Sequence, residues 1–151
     1  MTALLYLDDL SAGMKFTKGP LTVTASDIKA FAAQFDPQPF HLDESAAEAS
    51  FFGGLAASGW HTASLGMRLL VTGGPKLAGG YIGAGGELSW TQPVYAGDSL
   101  TLHGEIMEVK PSRTRPDRGI VTVRCDTFNQ KGEVVQKLLA RLMVPRRPGG
   151  A

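Results

Sequence analysis

Residues 59–72 have helical spacing with almost no face suited to water, and this constrains the fold more than any other stretch. Trp60, Ala63, Met67, Leu70 and Val71 fall on one apolar stripe, while Gly59, Thr62, Ala63 and Gly66 make a small face on which another backbone could lie closely. Only His61 and Arg68 are strongly polar. A helix apolar nearly all round is a buried one. Ser58 stands where an N-cap belongs, and Gly73-Gly74-Pro75 supplies the stop.

Something must wrap such a helix, and the remainder of the chain reads as strands. Residues 81–91, 98–110, 119–129 and 133–144 carry strand signals, with turn chemistry between them at Pro93, Gly97-Asp98, Pro116-Asp117-Arg118-Gly119 and Gln130-Lys131-Gly132. In the last segment Val134, Leu138, Leu139 and Leu142 also fit a helix; its place in a meander favours a strand. Upstream, residues 14–24 read as a short strand. Ser26 is the expected N-cap of a helix running to Phe35, which Pro37 stops by disfavouring helical backbone at Asp36. Residues 44–50 suit a second short helix. One strand, helices, then four strands is an α+β pattern: a curved antiparallel sheet around a central helix, in one domain spanning 1–151 with a flexible tail over 145–151. The sheet would keep an exposed edge, so dimerisation by sheet extension is expected.

Composition narrows the partners. Fifteen Lys and Arg against fourteen Asp and Glu leave a net charge of +1, unsuited to binding nucleic acid by phosphate neutralisation. The single cysteine, Cys125, excludes an internal disulfide and a Cys-rich metal site, and mid-strand it reads as a small hydrophobe. His41, His61 and His103 lack metal-ligand spacing, so no metal is expected. No apolar run reaches the roughly 18–20 residues of a membrane span, and the first residues do not read as a signal peptide, which makes the cytoplasm the expected location. Ser64 has no Gly-x-Ser-x-Gly setting, and Gly83-x-Gly85-Gly86 lies in a strand-like run, so it marks a bend and not a dinucleotide loop. Lys110, Arg113, Arg115 and Arg118 form a basic turn, read first as a solvated hairpin tip and second as a phosphate site.

Two clusters could carry chemistry. In Phe35-Asp36-Pro37-Gln38-Pro39-Phe40-His41-Leu42-Asp43 the prolines forbid a continuous helix, and a stiff curved loop could bring the Asp36 carboxylate and the His41 imidazole together. Asp36 ends a helix, where the negative end of the dipole would raise its basicity. The same residues are compatible with an ordinary turn and a structural histidine. The second cluster, Ala57-Ser58-Gly59-Trp60-His61, opens the central helix, whose first N–H groups lack intrahelical partners. Gly59 would let a substrate oxygen approach its N–H as in an oxyanion hole, or would equally let a neighbouring strand pack. His61 could reach the same pocket or lie in the core. Phe40, Phe51, Phe52, Trp60 and Met67 are candidate lining, with core filling the alternative.

These segments resemble the MaoC-like dehydratases, the (R)-specific enoyl-CoA hydratases of the hotdog fold, over nearly the whole chain from Asp8-Asp9-Leu10 and Gly13 to the final strands. The most specific part is Asp36-Pro37-Gln38-Pro39-Phe40-His41-Leu42-Asp43, similar to the family's Asp-x-Asn-Pro-x-His-x-Asp. Phe52-Gly53-Gly54-Leu55-Ala56-Ala57-Ser58-Gly59 matches the lead into the central helix, and Pro93-Val94-Tyr95-Ala96-Gly97-Asp98 the turn that follows. The resemblance implies that Asp36 and His41 activate water and that the Gly59 N–H polarises the thioester carbonyl of a trans-2-enoyl-CoA. The product would be a 3-hydroxyacyl-CoA, with dehydration as the reverse and no cofactor beyond the substrate's own CoA. Phe40, Ser58, Trp60 and His61 are the further expected substrate contacts, and a homodimer or dimer of dimers the expected assembly. Gln38 departs from the family's Asn, Pro37 adds stiffness, Ser58 stands where many members have His, and Met67 aligns with a family serine whose role is carried to no residue here. A thioesterase of the same fold and a non-catalytic acyl-CoA or acyl-carrier binding module are the alternatives.

Overall fold

The computed structural model describes residues 3–149. Its five strands, β1 (Lys15–Thr22), β2 (Ile82–Trp90), β3 (Ser99–Pro111), β4 (Arg118–Phe128) and β5 (Val134–Pro145), form one antiparallel sheet in the order β1-β3-β4-β5-β2. Four helices lie between β1 and β2: α1 (Ala25–Phe35), α2 (Pro39–Leu42), α3 (Glu44–Glu48) and α4 (Gly59–Gly73). The sheet curves around α4 in the hotdog arrangement. Its inner face is built by alternation: Leu100, Leu102 and Ile106 on β3, Val121, Val123 and Cys125 on β4, and Ala140, Leu142 and Val144 on β5 are all buried. Among the described residues no helix is long and apolar enough to cross a membrane.

The central helix is where expected, yet it is not buried all round. His61, Thr62, Gly66, Leu69 and Leu70 face the sheet and α1, whereas Trp60 is 61% exposed and Met67 and Val71 also face outward. The small residues decide this orientation. Gly66 faces β4 and β5 so closely that a Cβ there would lie 2.8 Å from the Gln136 amide nitrogen, a distance no bulky residue tolerates. What lies on the small face is thus a side chain from β5, and of the apolar stripe Leu70 faces the sheet while Trp60, Met67 and Val71 face away from it.

Two smaller expectations change and one, the bend at Gly83 and Gly85, holds. The N-cap of α1 is Thr24, whose Oγ1 accepts the Asp27 N–H at 3.1 Å, and not Ser26, which lies inside the first turn. Val23 is still bonded to the neighbouring Asp98 carbonyl, so the chain is extended up to Thr24 and turns there. Gly83 and Gly85 flank a bulge in β2, where Gly85 has φ +136°, a backbone that glycine allows. The chain end read as a flexible tail is tied down as far as Arg147. Arg146 pairs with Asp8 at 2.9 Å, and Arg147 pairs with Asp9 at 2.6 Å while lying over the Tyr6 ring. Gly150 and Ala151 lie outside the described residues.

His61 packs into the α1–α4 contact, its ring stacked on Phe31 at 4.8 Å and 7°. It is 6% exposed, with no partner for Nδ1 among the described residues. Burial lowers its pKa, with Asp27 opposing more weakly. The fold therefore prefers the neutral ring, a preference fully expressed above the unfolded value of about 6.5 and lost as pH falls toward the depressed folded value. In urea melts from pH 8 to 5, the wild type should lose stability on the acid side more steeply than His61→Phe; parallel curves would contradict this. Leu70→Ala, at a fully buried contact with the sheet, should cost about 2–5 kcal/mol in the same assay.

Candidate active site

Pro37 ends α1 at Asp36, whose N–H still donates to the Ala32 carbonyl at 2.9 Å. The chain does not then continue as a loop. Pro39 occupies the first position of the single turn α2, where a missing N–H costs nothing, and this turn carries His41. Asp43 follows as the cap of α3, accepting the Ala46 N–H at 2.9 Å. The last aspartate of the motif is thus a helix cap that fixes where α2 ends.

The turn presses His41 inward until only 4% of it is exposed. Its Nδ1 lies 2.6 Å from the Ala56 carbonyl oxygen. A carbonyl can only accept, so Nδ1 carries a proton and Nε2 is directed at Asp36, 3.3 Å from Oδ2. Phe40 lies edge-on to the imidazole at 4.6 Å and Phe52 packs on Phe40 at 5.2 Å, which holds the ring in place. Ala56 is itself held by a bridge to Tyr95, and the Ala57 N–H donates to the Val94 carbonyl at 2.7 Å. One carbonyl therefore couples the Asp36–His41 segment to the lead into α4.

Asp36 departs from the expectation of raised basicity. Partial burial does push its pKa up, but a hydrogen bond from Gln38, one from Ser58 and the nearby His41 together hold it below the usual aspartate value. The Gln38 amide donates to Oδ1 at 2.5 Å. Direct donors to a carboxylate outweigh the diffuse field of a helix end. Phe35, just before Asp36, is 67% exposed and does not enclose the carboxylate.

Ser58 is fully buried at the N-cap of α4, its Oγ accepting the Trp60 N–H at 3.3 Å. Among the described residues no acceptor is bonded to the Gly59 N–H. Gly59 and His41 line the same cavity, about 450 Å³, together with Phe51, Phe52 and Thr62, Trp90 at the end of β2, and Val94 in the loop that follows. The packing reading of Gly59 is seen directly: its missing Cβ makes room for Trp90, whose ring atoms would lie only 2.6–2.9 Å from one.

The structure brings Asp36 to His41, and His41 and Gly59 to one cavity whose lining includes neither Asp36 nor Ser58, and it leaves others out. Phe40 supports His41 without lining the cavity, Trp60 lies outside against Trp90, His61 is turned toward Phe31, and Met67 faces solvent. Thr62, Trp90 and Val94 are walls that the sequence did not reveal, because the end of β2 reaches the site only once the sheet is assembled. The exposed basic turn at Arg113 and Arg115 lies at the far end of the β3–β4 hairpin from the cavity, with Arg118 paired to Asp117 at 3.0 Å. Cys125 is buried, its thiol pushed up to about 12 by desolvation, which leaves it unreactive.

The MaoC like domain family model matches residues 10–128. A crystal structure of a MaoC-like dehydratase from Rhodospirillum rubrum superposes with a TM-score of 0.91 at 58% identity, covering 95% of this chain and 99% of that one. The Bacillus subtilis protein YdeM, itself uncharacterized, is 37% identical over 83% of this chain and 88% of its own. The (R)-specific enoyl-CoA hydratase of Aeromonas caviae is 36% identical over 72% of this chain and 76% of its own. A matched domain that spans the motif segment, the lead into α4 and the sheet through β4 places this chain in the MaoC-like domain family, within its hydratase and dehydratase relatives.

Proposed function

We propose that this protein catalyses the reversible hydration of a trans-2-enoyl-CoA to a 3-hydroxyacyl-CoA. The observation that carries the reading is the pairing of His41 Nε2 with Asp36 Oδ2 at 3.3 Å, with His41 lining the same cavity as Gly59 at the start of α4. A water held by the carboxylate and Nε2 gives its proton to the pair as its oxygen bonds to C3 of the enoyl group. Electron density moves through C2 to the thioester oxygen, where the Gly59 N–H and the positive end of α4 stabilise the enolate. The proton returns at C2, so the elements of water are added with nothing left over. The reaction calls for a base, an acid and an oxyanion donor, and this reading assigns it no cofactor and no metal. The names of the hydratase relatives support the same chemistry.

Gln38 and Ser58 orient Asp36 in this scheme, and the Ala56 carbonyl orients His41. Hydrolysis of the thioester would need attack at C1, and nothing about the pair favours it. Asp36→Asn and His41→Ala should each lower crotonyl-CoA hydration by about 10²–10⁴-fold, with the melting transition retained. Absorbance of the conjugated thioester measures hydration, and a thiol reagent measures free CoA. Release of CoA at the wild-type rate would make the protein a thioesterase, and binding without either product would make it a binding module.

A second copy of the chain is the inferred partner. β2 is an edge strand, exposed along nearly its whole length, and Trp60, Met67 and Val71 add an outward apolar surface on α4. Sedimentation equilibrium should give a dimer, or a dimer of dimers, of the 16.0 kDa chain, and a proline at Ala84 in β2 should shift it toward monomer.

A further inference from the structure

The concave side of the sheet is aliphatic except at one end. There Thr127 of β4, Gln136 of β5 and Trp90 of β2 are register partners in a single row facing α4. Gln136 is 1% exposed, in a position where a leucine would avoid burying an amide. Its Oε1 accepts the Trp90 indole N–H at 3.0 Å. An indole nitrogen can only donate, so the amide orientation is fixed and Nε2 is directed at Gly66. The indole in turn lies against the Gly59 backbone and edge-on to Trp60 at 5.2 Å.

Of these residues Trp90 and Gly59 line the cavity, and Gln136 backs the indole from behind the lining. On the hydration reading, on which this inference rests, the thioester carbonyl sits at the Gly59 N–H and the acyl tail continues along α4 past Thr62. Thr62 is one turn onward, about 5 Å along the axis. The next position on that face is Gly66, where the space left by its missing side chain is occupied by the Gln136 amide. Trp90 closes the side. A chain growing beyond this turn meets the indole or the amide that holds it.

We propose that Trp90 is the specificity-determining residue that restricts the site to short enoyl thioesters, and that the buried Gln136 is the positioning residue that latches the indole across the pocket.

The test is a series of trans-2-enoyl-CoA substrates of four, six, eight and ten carbons, assayed for hydration with the wild type, Trp90→Ala, Trp90→Phe and Gln136→Leu. Butyryl-CoA and octanoyl-CoA binding is measured beside it by calorimetry. The wild type should favour the four-carbon substrate. Trp90→Ala should raise the eight-carbon to four-carbon ratio of kcat/KM by about tenfold or more, the scale of excluded methylenes in an apolar pocket, with Trp90→Phe intermediate. Gln136→Leu should move the ratio the same way and act more on KM than on kcat. In a Trp60→Phe background, where Trp90 is the remaining tryptophan, Gln136→Leu should shift the emission to the red. A wild type equally active on eight carbons, or a length preference unchanged in both Trp90 variants, overturns the role of Trp90. An unchanged ratio and emission in Gln136→Leu overturns the latch. If no substrate is hydrated but Trp90→Ala gains octanoyl-CoA binding, the reaction is wrong and the wall stands; if hydration proceeds without any length effect, the reaction stands and the wall is wrong.

Discussion

The hydrogen bond from His41 to the Ala56 carbonyl is the contact on which the rest of the site depends. It joins two segments that sequence keeps apart: the proline-bracketed turn after α1, and the extended lead into α4. At 2.6 Å and almost out of contact with water, it fixes which imidazole nitrogen carries the proton and which meets Asp36. Ala56 can serve only because its own backbone is clamped by Tyr95 and its neighbour Ala57 by Val94, residues of the loop that leads from β2 to β3. The geometry of one imidazole is therefore set by the closure of the whole sheet.

The same closure explains why α4 must come so near the sheet. A helix begun by Ser58-Gly59 and carrying Gly66 two turns on has room for side chains arriving from the neighbouring strands β2 and β5, and Trp90 and Gln136 take that room. Larger residues at either glycine would push the helix outward and carry the Gly59 amide away from His41. The small face is thus a packing requirement at Gly66, and at Gly59 and Thr62 it is also part of the cavity wall.

Local signals are legible in the chain and assembled surfaces are not. The four later strands can be read to within a few residues, since alternation and Gly or Pro turns are written along the sequence. The turn bearing Asp36 and His41 is legible too, because prolines leave the backbone few choices. The direction faced by α4 is not: Trp60, Met67 and Val71 look like core by composition, yet approach distance, set by Thr62 and Gly66, determines which side faces inward. Trp90 carries no motif, and only its pairing with Gln136, 46 positions away, brings it to the cavity. The sign of the Asp36 shift is hidden for a related reason, since Gln38 and the distant Ser58 both converge on its oxygens.

That shift bears on how hydration would be driven. A carboxylate held below its usual range is ionised at neutral pH but is a weak base, so proton abstraction cannot rely on basicity alone. The compensation lies in arrangement. With Nδ1 committed to Ala56, Nε2 is left facing Asp36, and on the proposed reaction a water touching both would be oriented before any bond changes. In the proposed hydration the larger charge development would fall at the thioester oxygen, for which the Gly59 N–H at the first turn of α4 is the candidate donor. If the proposed reaction is the right one, such a site would gain rate from preorganisation and not from a tuned base. Its prolines, its clamped carbonyl and its two helix glycines would then belong to the chemistry as much as the aspartate and the histidine.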